Sequence, residues 1–259
     1  MTTSPLPLPR LRVLAALLAA SCAGAAHAVD FSLGAGVGYA PKYEGASKYE
    51  FSPFPVLSIS GENWFIGGKG NGPAAGLQYS ITPEWTTGVF VGLQGGRKEK
   101  DGDRLFGTEE IKNHGVGGVF TEYQIGRFGV GLTYYQAFKR QYGSGALLDL
   151  SYQVWESASG DTSLSFEANA HWSSKKAMNT WFGVTQAEAM ASGGKLTPYE
   201  LKGGMRSYGV SATLSHQFAP RWNASLSVGM QSLAGKTKDS PLVEKRNAAV
   251  GSLSIAYQF

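Results

Sequence analysis

From residue 29 onward the chain alternates apolar and polar positions with a period of two. In 161–173, Leu164, Phe166, Ala168, Ala170 and Trp172 share one face, while Ser163, Ser165, Glu167, Asn169 and His171 share the other. In 221–234, Trp222, Ala224, Leu226, Val228 and Met230 oppose Asn223, Ser225, Ser227 and Gln231. Successive strand side chains point to opposite faces, so this pattern predicts strands with one apolar side. About twelve are predicted, at 29–40, 50–60, 62–69, 73–82, 85–97, 113–125, 127–141, 145–157, 161–173, 204–218, 221–234 and 246–259. Their lengths suit the roughly 9–11 residues with which a tilted strand crosses a bilayer.

The connections sort into two classes. Those near 60–62, 82–84, 126–127, 157–161 and 219–220 are short, while 41–49, 98–112, 174–203 and 235–245 are longer and polar. Two more in the second set, near 70–72 and 142–144, are short exceptions. Short turns on one side and long loops on the other predict an all-β fold: a transmembrane antiparallel β-barrel with both chain ends in the periplasm. Ends on one side require an even strand number, and closure leaves no unpaired edge in lipid. A soluble sandwich would carry Lys and Glu on its polar faces, whereas these carry Ser, Thr, Gly, Asn and Gln. Trp85, Tyr123, Trp172, Trp222 and Tyr257 recur near strand ends, as interfacial girdles do. Eight strands enclose space that side chains fill and 16–18 leave an aqueous channel, so about twelve predict a bore that is narrow or blocked by a loop.

One segment breaks the alternation. In WFGVTQAEAMASGG, Trp181 to Gly194, Thr185 and Glu188 have capping-box spacing, and a glycine pair follows. This predicts a short helix within the longest extracellular loop, 174–203. A helix of about seven residues is too short to persist unpacked. Phe182, Val184, Ala189 and Met190 offer it an apolar surface. The expectation is a lid built on Trp181, Phe182, Val184, Thr185, Glu188 and Met190 that narrows the mouth, or a cap that merely closes it.

Composition agrees with a barrel. The chain holds 35 Gly, 12% aromatic residues and only 16% charged residues, yet its mean hydropathy is −0.15. After the N-terminus no run of about 18 apolar residues offers a spanning helix. Arg10 and Arg12, the apolar Val13–Ala20 and the Ala26-His27-Ala28 site read as a cleaved signal peptide, 1–28, leaving 29–259 as the barrel. The single cysteine, Cys22, lies in that segment, so the mature chain uses no disulfide. Without Arg10 and Arg12, 21 basic residues face 19 acidic ones, a balance that gives no reason to expect nucleic acid.

Chemistry is sparse. His114, His171 and His216 remain after the signal, and no nucleophile motif accompanies them. Glu167, Asn169 and His171 share the polar face and are expected to line the lumen; His216 shares parity with Leu214 and Phe218 at the periplasmic end. No His pair or acidic repeat has metal-ligand spacing. The 97–104 run RKEKDGDR reads as solvated loop charge. No enzyme activity, cofactor or metal is expected.

The last stretch, AVGSLSIAYQF, sets Leu253, Ile255, Tyr257 and Phe259 on one face and ends on Phe259. It resembles the terminal strand by which outer-membrane barrels are recognised during assembly, with Tyr257 and Phe259 as the signal. GAGVGYAPKYEGA (Gly34–Ala46), the FGVT and Glu188-Ala189 of the helical segment with Ser192-Gly193 and Tyr199, and LAGKTKDSPLVEKRNAAVGSLSIAYQF resemble, in order and spacing, the MltA-interacting protein (MipA/OmpV) family of outer-membrane proteins. Trp181 stands where that family's motif commonly has Tyr. The resemblance implies a barrel in the outer membrane of a Gram-negative bacterium, with outer-membrane lipid and the barrel-assembly machinery as partners. It also implies a scaffold for murein-remodelling enzymes, a lytic transglycosylase and a penicillin-binding protein. A narrow channel for small solutes or antibiotics is the alternative.

Overall fold

The computed structural model describes residues 29–259; the expected signal peptide, with Cys22, lies outside them. Twelve strands follow one another: β1 (Asp30–Pro41), β2 (Tyr49–Ser60), β3 (Trp64–Lys69), β4 (Gly72–Thr82), β5 (Trp85–Gln94), β6 (His114–Ile125), β7 (Phe128–Ala137), β8 (Ser144–Glu156), β9 (Thr162–Ser173), β10 (Gly204–Ala219), β11 (Trp222–Leu233) and β12 (Asn247–Gln258). Each pairs antiparallel with its chain neighbours, and β1 pairs with β12 from Ser32↔Gln258 to Tyr39↔Gly251, which closes the barrel. All twelve predicted strands are present. The short turns gather at one end of the barrel with the chain ends, and the long loops gather at the other.

The outward faces are apolar and exposed. Leu33, Leu77, Val89, Leu132, Val210 and Leu226 all stand open on the outer surface, a band that fits hydrocarbon rather than water. Aromatic rings border it. At the periplasmic end Phe31 stacks on Phe259 at 4.5 Å, and Tyr257 meets Trp222 at 5.1 Å and Phe259 at 4.8 Å. The Phe259 N–H donates to the Phe31 carbonyl across the seam. At the other end Tyr39 contacts Tyr49 at 5.0 Å and Phe51 at 4.7 Å.

The inward faces are of two kinds, which corrects the uniformly polar lumen expected from the sequence. On β9–β12 they carry Ser, Asn and Gln, joined by pairs such as Thr213–Ser227 at 3.2 Å and Ser215–Ser225 at 3.1 Å. On β3–β8 they carry Phe65, Phe90, Val116, Phe120, Tyr135 and Leu147, all buried in one cluster. Phe65 and Phe120 meet edge-on at 5.6 Å, and Phe90 lies 6.5 Å from Phe120. Glycine makes this possible: a Cβ at Gly76, Gly88 or Gly118 would lie 2.6–2.7 Å from these rings. Part of the β3–β8 wall is thus packed like a soluble core, while Glu122 of β6 and Asp149 and Ser151 of β8 on the same wall line open space toward the short turns.

One ladder is short. β3 pairs all six of its residues with β4 across Gly70-Asn71, whose φ values of 63° and 72° suit a two-residue primed turn. Between β2 and β3 only Ile59↔Ile66 and Ser60↔Phe65 pair.

Candidate functional site

The extracellular mouth is covered by loops that cross it. The β9–β10 connection contains α1 (Lys175–Phe182) and α2 (Gln186–Ala191). Thr185 caps α2, its hydroxyl accepting from the Glu188 N–H while the Glu188 carboxylate accepts from the Thr185 N–H at 2.8 Å. The expected helix is therefore present, but Trp181 and Phe182 do not belong to it. They end α1, a helix the sequence reading missed although Ser174 before it and Gly183 after it are ordinary boundary residues. Met190 departs from the expected apolar surface of the lid: it is 67% exposed. With six residues α2 buries one narrow face, and Ala189 occupies it.

The cap is held by side chains from four loops. Tyr43 from the β1–β2 loop, Leu105 from β5–β6, Val184, Ala189 and Leu196 from β9–β10, and Leu242 from β11–β12 form one buried cluster. The β5–β6 and β11–β12 loops rise from opposite sides of a twelve-strand ring, so their contact spans the mouth. Met178, Phe182, Leu201, Leu233 and Val243 form a second cluster beside it. Fully burying a Leu or Phe stabilises by about 1.5–3 kcal/mol each, so the cap is a small hydrophobic core of its own. Asn179 brackets Leu201, donating to its carbonyl at 2.7 Å and accepting from its N–H at 2.9 Å. The Ser240 hydroxyl donates to the Phe182 carbonyl at 2.6 Å.

Three arginines hold the cap together, and one of them, Arg206, ties it to the barrel wall. Arg206 of β10 donates through Nε (2.7 Å) and Nη2 (2.6 Å) to Glu44, and its guanidinium lies 4.9 Å from the Trp181 ring and 5.2 Å from Phe182. Arg97 is 5% exposed and donates from Nη1 to the Trp181 carbonyl; burial lowers its pKa to about 10. Arg104 donates at 3.1 Å to the carbonyls of both Pro241 and Val243. The run 97–104 is therefore partly structural, against its reading as solvated charge. Tyr43 donates to the Leu242 carbonyl at 3.0 Å and to Glu244 at 2.9 Å, and burial first, then Glu244, raises its pKa.

Beneath the cap lies a cavity of about 550 Å³ reached by Trp181, Tyr135, Asn169, His171 and Arg206. Below it a second, of about 560 Å³, extends to the periplasmic turns and is lined by Glu84, Glu122, Asp149, Glu167 and Asn169. Glu167, Asn169 and His171 thus all face the lumen, at different heights. His171 Nε2 lies 2.7 Å from the Tyr135 hydroxyl and 3.5 Å from Ser173 Oγ. Tyrosine occupies the nitrogen a serine nucleophile would need, and His171's hydrogen-bond partners among the described residues include no carboxylate. His216 sits on the outer face, 2.8 Å from Thr162 Oγ1. Among the described residues no three His, Cys, Asp or Glu are placed to hold a metal.

The family description MltA-interacting protein MipA matches residues 33–259. The chain belongs to that family. It is 25% identical to the "MltA-interacting protein" of Escherichia coli (strain K12) over 260 residues, covering 96% of this chain and 99% of that one. The Shigella flexneri protein of the same description matches equally. Among solved structures, a "KdgM porin" aligns with TM-score 0.44 at 10% identity over 88% of this chain and 99% of the porin. A NanC porin aligns with TM-score 0.45 at 10% identity over 90% of this chain and all of the porin. In this MipA-family chain the three segments that carried the resemblance come together. Tyr43 and Glu44 of the first, Phe182 and Val184 of the second, and Ser240 and Leu242 of the third all lie in the cap or its tether.

Proposed function

We propose that this chain is a non-catalytic outer-membrane barrel that serves as a membrane-anchored interaction protein for murein-remodelling enzymes, a lytic transglycosylase and a penicillin-binding protein. One observation carries the reading: the long-loop end is covered by a packed cap, while the lumen reaches the short turns, which this reading sets in the periplasm. The side open to a partner is the one that faces murein. The name of the 25%-identical relatives, MltA-interacting protein, supports the first partner. A standard interface needs about 800 Å² per partner, so a partner must engage the rim of turns and the chain ends together. Delivery by cleavage of residues 1–28, and recognition of Tyr257 and Phe259 during assembly, belong to the same reading. The test is co-purification of the detergent-folded barrel with each purified enzyme; failure of both to bind a correctly folded barrel rejects it.

The two stacked cavities favour a second reading, a narrow solute channel. They share Asp149 and Asn169, and the lower one is lined by Glu84, Glu122, Asp149 and Glu167, which would favour cations. Trp181 and Phe182 then act as the lid. Deleting 181–194 should raise single-channel conductance in planar bilayers; unchanged conductance removes the lid from this reading.

A further inference from the structure

The short β2–β3 ladder leaves a notch in the barrel wall. Below it, Ile59↔Ile66 and Ser60↔Phe65 hold the strands together; above it, β2 as far as Tyr49 has no ladder partner on that side. The notch lies below the Tyr39–Tyr49–Phe51 rings, and the outer faces beside it carry Phe51, Leu57 and Ile66, so it opens at hydrocarbon depth. An unpaired strand edge in lipid is costly because nothing there satisfies its N–H groups. β2 meets this with Pro53 and Pro55, which have no N–H to leave unpaired. Its ladder with β1 runs unbroken across both. The edge is thus built to stay open.

Behind the notch is a cavity of about 730 Å³, within the range of small-molecule pockets (~300–1,000 Å³). Phe54, Leu57, Ile66 and Leu147 make it mostly apolar. Its charged groups are Lys69, Glu122 and Asp149. Lys69 and Glu122 neutralise each other at 2.6 Å, with the Lys69 ammonium 4.1 Å from the Phe120 ring. That leaves the Asp149 carboxylate as the uncompensated charge at the inner end. Asp149 also lines the cavity under the cap and the one that reaches the periplasmic turns. It stands where all three spaces meet.

We propose that the notch is a lateral port admitting an apolar molecule with an ammonium head from the bilayer into the lumen, where Asp149 receives the head. The route bypasses the cap, so a covered mouth and a working passage coexist. It is independent of the enzyme-scaffold reading.

The test uses the folded barrel in phosphatidylcholine vesicles and a dodecylammonium probe with a photoactivatable diazirine in its tail, mapped by peptide mass spectrometry. The expected labels are on lumen-facing Phe54 and Leu147. Gly68 lines the notch on the lipid-facing side that Trp64 and Ile66 share, and a Cβ there would meet nothing within 4 Å, so Gly68→Trp sets an indole over the outer rim of the opening. In that variant lumen labelling should fall about tenfold, which corresponds to about 1.4 kcal/mol added to the cost of entry. The mobility of unheated protein on gels confirms that it is folded. Labels confined to lipid-facing residues such as Leu77 and Val89, or lumen labelling unchanged in Gly68→Trp, overturn the port. Asp149→Asn should reduce lumen labelling by the amine to the level given by a dodecanol analogue. Equal labelling by amine and alcohol in the native barrel overturns the role given to Asp149.

Discussion

The two inner walls of the barrel solve the same problem differently. Along β3–β8 the wall turns aromatic rings inward and covers them with one another, with glycines opposite to make room. Along β9–β12 it turns serine, asparagine and glutamine inward, a wet wall in that its polar groups face open space. The first wall is a core, with buried area and shape complementarity behind it. The second is a lining, held by the ladder hydrogen bonds that closure supplies. A twelve-strand barrel is too wide to fill completely and too narrow to leave fully open, and this one packs aromatic rings into part of its lumen and leaves the rest as polar-lined space.

The sharpest way to break that comparison is Phe120→Ala. Phe120 is 3% exposed between Phe65 and Phe90, so its loss should cost about 3–5 kcal/mol in urea unfolding from vesicles. Next in size is Glu44→Ala, which strands Arg206 between two aromatic rings. Removing one partner of a fully buried pair costs about 3–5 kcal/mol, and Glu44 is 28% exposed, so about 2–3 kcal/mol is expected. The loss should show as faster proteolysis of loop 174–203 with the barrel itself intact. A barrel that unfolds as a whole instead would mean that the cap and the wet wall are one unit.

A smaller effect is set by pH. The folded pKa of Tyr43 is raised, so its contribution is complete below the unfolded value near 10 and is lost as pH climbs through the folded one. Arg97 works oppositely. Its folded pKa, lowered to about 10, makes the buried cation unfavourable below that pH and relieves it above. Comparing native protein with Tyr43→Phe isolates the first: the variant should have a cap weaker by about 1 kcal/mol at pH 8, with the difference vanishing in strong alkali. A difference that grows with pH contradicts the assignment. The smallest effect belongs to the wet wall. Ser227→Ala should change stability by no more than about 0.5 kcal/mol. Equal costs for Ser227→Ala and Phe120→Ala would end the distinction between the walls.

Much of this fold is legible one strand at a time. The runs at 161–173 and 221–234 display their faces because the two-residue period is a local property of extended backbone. The capping box at Thr185 and Glu188 is equally local. The candidate site was less visible. Nothing near Arg97 in RKEKDGDR tells a solvated arginine from one beneath the cap, since the carbonyl that receives it belongs to Trp181, 84 residues away. Ser174 and Gly183 mark the ends of α1 as locally as Thr185 marks the start of α2.

By itself, then, the sequence determined the strand count, the lipid-facing side of each strand, the closure of the ring and the position of α2. Each follows from spacing within about a dozen residues, or from the rule that strands in lipid leave no edge unpaired. Tertiary structure decided which inner wall is packed, how the mouth is covered, and where the one short ladder leaves the wall open. Those outcomes rest on pairs such as Tyr43 and Leu242, separated by 199 residues and joined only when the ring closes. Residue type sets what such groups can do; only the geometry of closure sets which of them meet.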